Sequence, residues 1–414
     1  MKGLFNKLLL SLGVFVALGV IYAHAQTQGF IYGTVITEDG DKYTGPIRWG
    51  KEEVYWSDMF NASKRENENL DYLSDDDLDD LRDRRGDNGF VTRFVSVSWD
   101  WDDANGFVHE FSTAFGNIKS IEVRSSERIM LELKNGEVLK LGGSGYNDVG
   151  ARIQIIDEEI GLVKVSWSNL EAVKFSPAPS NLEETFGNPL YGTVQTDIGE
   201  FTGYVQWDHD ERLGSDKLDG DTRDDDVSIP FDKIRSIERD GYSRSQVTLK
   251  SGRELELRGS NDVNDENRGI IINVNGLGRV DVEWEDFDKV TFKDAPDNVA
   301  DYDSFKAPKE LRGTVETEDG DSLEGYITYD LDEEYDIEVL NGQVDDTKFI
   351  IPFKYIRSIK PIGYDECRIT LKNGEKLLLE DTQDVGDDHS GILINKRKEN
   401  TYVEWRDVDR VTFQ

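Results

Sequence analysis

The sequence predicts an all-β chain of three tandem repeats, each a doublet of small β-barrel-like units of about 50 residues, and three recurring patterns carry that prediction. Gly-Thr-Val recurs at Gly33, Gly192 and Gly313, each time running through a glycine-containing turn into a second strand that ends at Trp49, Trp207 or Tyr329. A hairpin signature recurs as LKNGEVLKL from Leu133, LKSGRELEL from Leu249 and LKNGEKLLL from Leu371. Alternating apolar residues around Asn-Gly or Ser-Gly predict a tight primed turn, because Gly and Asn accept the positive φ such a turn demands. The third pattern is aromatic-x-x-apolar-x-x-apolar: Phe115/Ile118/Ile121 then Trp167/Leu170/Val173, Phe231/Ile234/Ile237 then Trp284/Phe287/Val290, and Phe353/Ile356/Ile359 then Trp405/Val408/Val411. Within the three repeats its two aromatic residues stand 52, 53 and 52 positions apart, which makes each repeat a doublet.

The elements follow in chain order. Residues 1–25 read as a secretory leader: Lys2 and Lys7, an apolar run from Leu8 to Tyr22, and Ala23-His24-Ala25 before Gln26. The run is shorter than the roughly 20 residues that span a bilayer. Gln26 in place of Cys argues against lipid attachment, and no later segment is apolar enough to span a membrane. Repeat one covers 30–175 and carries an insertion at about 50–110, with an acidic helix at about Glu66 to Arg84 and a strand from Phe94 to Trp99. Residues 176–189 and 293–309, with Pro177, Pro179, Pro189, Pro296 and Pro308, read as linkers to repeat two (190–292) and repeat three (310–414). Around Trp284 and its counterparts the chain reads as strand, one helical turn, strand; the intervening EDFDK is too short for a helix that stands alone. The acidic stretches Asp216 to Asp226 and Leu331 to Asp346 read as solvated loops.

Five short bent strands with one helical turn before the last resemble the SH3-like and Sm-like small barrels. The resemblance covers most of residues 30–414 and implies fold alone. Sm-like proteins commonly bind RNA, but an exported chain this acidic is not expected to. A lone 50-residue unit buries little apolar surface, so the two halves of each repeat are expected to pack as one domain of about 100 residues.

The formal net charge is −37, which repels nucleic acid and anionic membrane surfaces and favours either solubility or cation binding. Cys367 is the only cysteine, so no intrachain disulfide and no Cys-rich metal site can form. Candidate ligand contacts are Trp56, Trp99 and Trp101 in the insertion, which have no counterparts in the other repeats. Aromatic faces beside Asp102 and Asp103 suit a sugar; the competing role is to fasten the insertion by packing. Candidate metal ligands lie in the loops after the LKxG hairpins: Asp262, Asn264 and Asp265, and Asp384, Asp387 and Asp388. Calcium takes six to eight oxygens. EF-hand spacing is absent, since the sixth and twelfth positions from Asp262 are Asn267 and Asn273. Turn formation is the competing role, with the shared Asp-Val closing the turn and the valine entering the core. His109, His209 and His389 sit at unrelated positions, Gly143-Ser144-Gly145 lacks nucleophile-elbow spacing, and Cys367 has no apparent His partner. The expectation is a non-enzymatic interaction scaffold of the periplasm or surface of a Gram-negative-type cell, with a carbohydrate-binding protein and a calcium-stabilised structural protein as alternatives.

Overall fold

The computed structural model describes residues 29–64, 67–85, 109–143, 148–180, 182–296, 299–396 and 400–414. The expected leader, the strand expected at 94–99, Trp99 and Trp101 lie outside the described residues. The described chain is all-β: one ten-stranded and one twenty-stranded antiparallel sheet, short 3-10 turns, and one α-helix, Asp75–Arg85. None of its helices is long and apolar enough to cross a membrane.

In residues 29–175 the Gly-Thr-Val strand Tyr32–Thr37 lies between Lys42–Trp49 and Leu170–Phe175. From Leu170–Phe175 the sheet runs through Ile118–Ser125, Arg128–Leu133, Val138–Gly142 and Met59–Lys64 to His109–Ala114. From Lys42–Trp49 it runs through Ile153–Asp157 to Gly161–Val165. Pairings in residues 190–292 and 310–413 follow the same order. The register repeats as well, as Gly33↔Phe175, Gly192↔Phe292 and Gly313↔Phe413. The motif needs its glycine because the neighbouring strand's carbonyl is too close for any Cβ: one at Gly33, Gly192 or Gly313 would stand 2.3, 2.6 or 2.2 Å from that oxygen.

The expected closed barrels of about 50 residues are not formed. The two aromatic-turn strands of each segment pair with each other, Ile121↔Val173, Ile237↔Val290 and Ile359↔Val411, so the halves interleave in one large open sheet. The physical reason is core size: half a segment has too little apolar surface to close around. In the second segment the end strand Gly278–Val282 pairs with Thr347–Pro352, which covers a free edge and joins two segments in one twenty-stranded sheet.

The helical turns fall where the motif placed them, as 3-10 turns at Phe115–Asn117, Trp167–Asn169, Phe231–Lys233, Phe353–Tyr355 and Trp405–Asp407 and a plain turn at 284–286. All six leading aromatics are buried, with Trp207 packed edge-on against Trp284 (6.1 Å) and Phe287 (5.3 Å). The LKxG hairpins differ from the expected primed turn. The amide of Gly136 donates to Leu133 O (3.0 Å) and only the glycine has positive φ (+91°, +88° and +94° at Gly136, Gly252 and Gly374). Asn135 and Asn373 instead cap the turn, accepting from the amides of Glu137 and Glu375.

The acidic helix begins later than expected. A 3-10 turn, Glu68–Tyr72, precedes it, and Ser74 starts the α-helix by accepting from the Asp77 amide (3.1 Å) while its hydroxyl donates to the Asp77 carboxylate (2.6 Å). Leu73 and Leu81 pack on Leu331 and Leu393 of the third segment. The stretches read as solvated loops also differ: they contain the strands Lys217–Asp221 and Val339–Val344, and Asp332, Glu333 and Glu338 are buried. Partners explain the burial. Lys64 of the first segment holds Asp332 (3.0 Å) and Glu338 (2.5 Å). Arg212 of the second, fully buried, holds Asp58 of the first at 2.9 Å. Each segment thereby touches the other two.

Candidate functional site

The site grows from the turn that ends the second strand of each segment. Backbone bonds between Trp49 and Glu53, Trp207 and Glu211, and Tyr329 and Glu333 close it. The reversal places Gly50 at φ +61°, but Asp208 and His209 (+48°, +58°) and Asp330 and Leu331 (+51°, +59°) in the other two segments. Consecutive left-handed non-glycine residues cost roughly 1–2 kcal/mol each. The aspartates hold the turn through their carboxylates: Asp208 accepts from the Arg268 amide (2.7 Å) and from Asn261, and Asp330 accepts from the Ser390 amide and Gln383.

The opposite wall is the Asp-Val turn. Asp148, Asp262 and Asp384 each accept, through Oδ2, the amide of the facing strand at Asn61, Asp219 and Asn341 (2.7, 2.6 and 2.6 Å). Their carbonyls take the indole N–H of Trp49 and Trp207 and the hydroxyl of Tyr329. Val149, Val263 and Val385 are buried, as the turn reading required.

Between the two walls carboxylates meet. One ligand atom each from Asp208, Glu211 and Asp262 lies within 4.8 Å of the others. Burial first, then Asp262, Asp210 and Asp208, push Glu211 up to about 9, and burial lifts Asp262 to about 6 against the Asp219 amide. Burial likewise pushes Glu53 and Glu333 far above the carboxylate range, reinforced by Asp148 and by Asp332 and Asp384 respectively. Oε2 of Glu53, Glu211 and Glu333 is buried in all three segments without a hydrogen-bond partner. Such a group is stable either protonated or facing a cation.

Of the expected metal ligands, only Asp262 belongs to this triad, and Asp384 stands at the corresponding place in the third segment. Asn264 and Asp265 do not join it: Asn264 Oδ1 accepts from the Glu266 amide (2.9 Å), and the Asp265 amide donates to Tyr242 O (2.8 Å). Asp387 is exposed beside Asp365, and Asp388 is half-buried on the same turn. Trp56 is buried, 4.6 Å from the Tyr302 ring and 5.9 Å from Phe175, so it is a packing anchor without a free face for a sugar. Asp208 and Glu211 were missed, although an aromatic-x-x-x-Glu spacing recurs at Trp49/Glu53, Trp207/Glu211 and Tyr329/Glu333.

His209, His389 and Cys367 are each engaged by neighbouring groups. His209 meets Asp281 at 2.9 Å, and against burial it brings that carboxylate down to about 2. His389 stacks on Trp405 at 3.8 Å and accepts the Gly391 amide through Nδ1. Cys367 is buried, its thiol raised by desolvation. The class defined by this geometry is an open-sheet, all-β protein with carboxylates clamped inside its turns. No protein-family model and no curated protein matches the chain.

Proposed function

We propose that this is an exported, non-enzymatic scaffold of the periplasm or cell surface, built from three copies of one ten-strand module. The observation that supports it best is the use of charge. Buried pairs such as Arg212–Asp58 and Lys64–Glu338 tie segment to segment, and buried aspartates clamp backbone amides. The repeated chemistry is thus spent on holding one body together. Neither nucleic acid nor an anionic membrane is a partner in this reading, given a net charge of −37. The test has two arms. Expressed with its leader in a Gram-negative host, the chain should be recovered from the periplasm with Gln26 as its first residue. Screened against glycosidic, ester and peptide substrates, it should show no turnover that Glu211→Gln or Asp262→Asn abolishes; such turnover would overturn the reading.

A second reading, a calcium-stabilised structural protein, is favoured by the convergence of Asp208, Glu211 and Asp262. It requires calcium to raise the melting temperature of the native chain and to leave that of the Glu211→Gln variant unchanged. Equal melts with chelator and with calcium would remove it. The carbohydrate reading rests on Trp99 and Trp101, since Trp56 is enclosed.

A further inference from the structure

The first segment carries a docking groove that the chain itself fills. It lies where Phe175, Phe115 and the hairpin lysine Lys134 come together, and residues Asp301 to Phe305 of the second linker occupy it. The Tyr302 hydroxyl donates to Ile118 O at 2.9 Å, and its ring packs on Trp56. Lys134 Nζ sits 3.3 Å from the centre of the Tyr302 ring and donates to the carbonyl of Phe305 at 3.0 Å. Phe305 lies on Gly116, where a Cβ would stand 2.4 Å from its ring. A space of about 80 Å³ is left.

The same place in the second segment, bounded by Phe231, Phe292 and Lys250, is a cleft of about 290 Å³ with Pro296 and Val299 at its rim. At the third segment, bounded by Phe353, Phe413 and Lys372 and walled by Asn135 and Glu137 of the first segment, it is a cleft of about 830 Å³. The lysines record the difference. Lys134 is half-buried beneath its aromatic cover, whereas Lys250 and Lys372 are exposed. Burial brings Lys134 down to about 8, against the pull of Asp303.

We propose that the third cleft docks an extended peptide of a partner protein, an aromatic side chain flanked by acids, as Asp301 to Asp303 dock in the first. The proposal deepens the scaffold reading by naming what the scaffold holds. Charge and shape set the partner. Lys309, Arg312 and Lys372 line the cleft of a chain that is otherwise strongly acidic, with Arg312 also paired to Glu324 at 3.3 Å. Of the lining acids, Asp336 is engaged by the Lys309 amide at 3.0 Å, and Glu137 and Glu310 complete the wall. Asp336 stands where the first segment has Trp56, so the third cleft is wider at the aromatic subsite, with Lys372 placed beside it as Lys134 is in the first. An acid-flanked aromatic gains a lysine–π contact and charge pairing there.

The probe is a fluorescent peptide copying residues 299–306, titrated into the full-length protein and followed by anisotropy. Saturable binding is expected. Tyr→Ala in the peptide should remove it, and Lys372→Glu in the protein should weaken it at least about tenfold at low salt. Lys372 is exposed, so its variant should keep the native circular dichroism spectrum; Arg312→Glu gives an independent second variant. A photo-crosslinking aromatic at the Tyr position should attach near Phe353 or Phe413. The proposal is overturned by absence of saturable binding, by binding that neither variant moves, or by crosslinks confined to the first-segment groove around Phe115 and Phe175. It is equally overturned by concentration-dependent dimers that Lys372→Glu dissociates, which would make a second copy the occupant. None of these outcomes touches the export and turnover tests of the scaffold reading.

Discussion

Replacing Arg212 with alanine should destabilise the protein by about 3–5 kcal/mol, the cost of leaving a buried charge without its partner. The guanidinium is fully buried, with Nη2 2.9 Å and Nε 3.3 Å from Asp58 Oδ1 and Nη1 3.1 Å from Val205 O. Its plane also lies 4.8 Å from the Tyr55 ring, a contact worth up to about 2 kcal/mol when desolvated. Asp58 cannot relax into water, because its Oδ2 is held at 2.8 Å by the amides of Val54 and Tyr55. Lysine should not substitute, since a point charge cannot serve Asp58, Val205 and the ring together. Urea unfolding followed by tryptophan fluorescence would measure the loss as a lower midpoint at unchanged slope. The cycle of Arg212→Met, Asp58→Asn and the double variant would isolate the pair, and the double variant should recover at least about 1 kcal/mol of the summed losses. An Arg212→Ala midpoint within about 0.5 kcal/mol of the native protein, or a cycle without coupling, would refute the idea that this pair fastens the first segment to the second.

Three other outcomes follow from the same geometry. Glu211 titrates at about 9 when folded, against an ordinary value near 4.5, so the folded state holds the extra proton between those limits. Stability without divalent cations should therefore be greatest below pH 4.5 on this group's account and fall as pH rises towards 9. Glu211→Gln should flatten that dependence in melts taken from pH 5 to 9. Gly192→Ala places a Cβ 2.6 Å from Thr291 O, a backbone atom that cannot swing aside, and should cost about 1–3 kcal/mol in the same urea assay. Lys64→Met strands the buried Asp332 and Glu338, and should cost about 3–5 kcal/mol unless Glu338→Gln is added, which should recover part of it.

The strand content, the aromatic turns and the hairpins were legible because local patterns with local causes dictate them. The motif at Phe231, Ile234 and Ile237 marks an inward face, and those residues are buried. Pairing partners were not legible. The strand with Trp49 could have closed on its own half or crossed to Ile153, and only the shared core decides for Ile153. The helix start moved because Ser74 competes for the amide of Asp77, a capping choice that average acidity does not reveal. At the site, Asp262 stood out by its place in an oxygen-rich loop, whereas Glu211 comes from a different turn about 50 residues earlier. The aromatic-x-x-x-Glu spacing was present, but glutamates are common in so acidic a chain, and only geometry separates a buried one from the rest.

The buried carboxylates have a consequence for how a chain of net charge −37 stays compact. Mutual repulsion across its surface works against the folded state. Asp148, Asp262 and Asp384 offset it locally, because each accepts a charge-assisted bond from a backbone amide of the facing strand. The glutamate opposite has no such amide, so its Oε2 must be met by a proton or a cation. Asn in place of Asp262 keeps an acceptor for the Asp219 amide and removes one negative charge from the triad. Asp262→Asn should therefore lower the proton affinity of Glu211, leave the strand Lys217–Asp221 in place, and make stability less sensitive to pH above neutrality. Loss of amide-exchange protection across that strand would instead mean that the clamp depends on the full charge of the carboxylate, and that the aspartate and glutamate act as one unit.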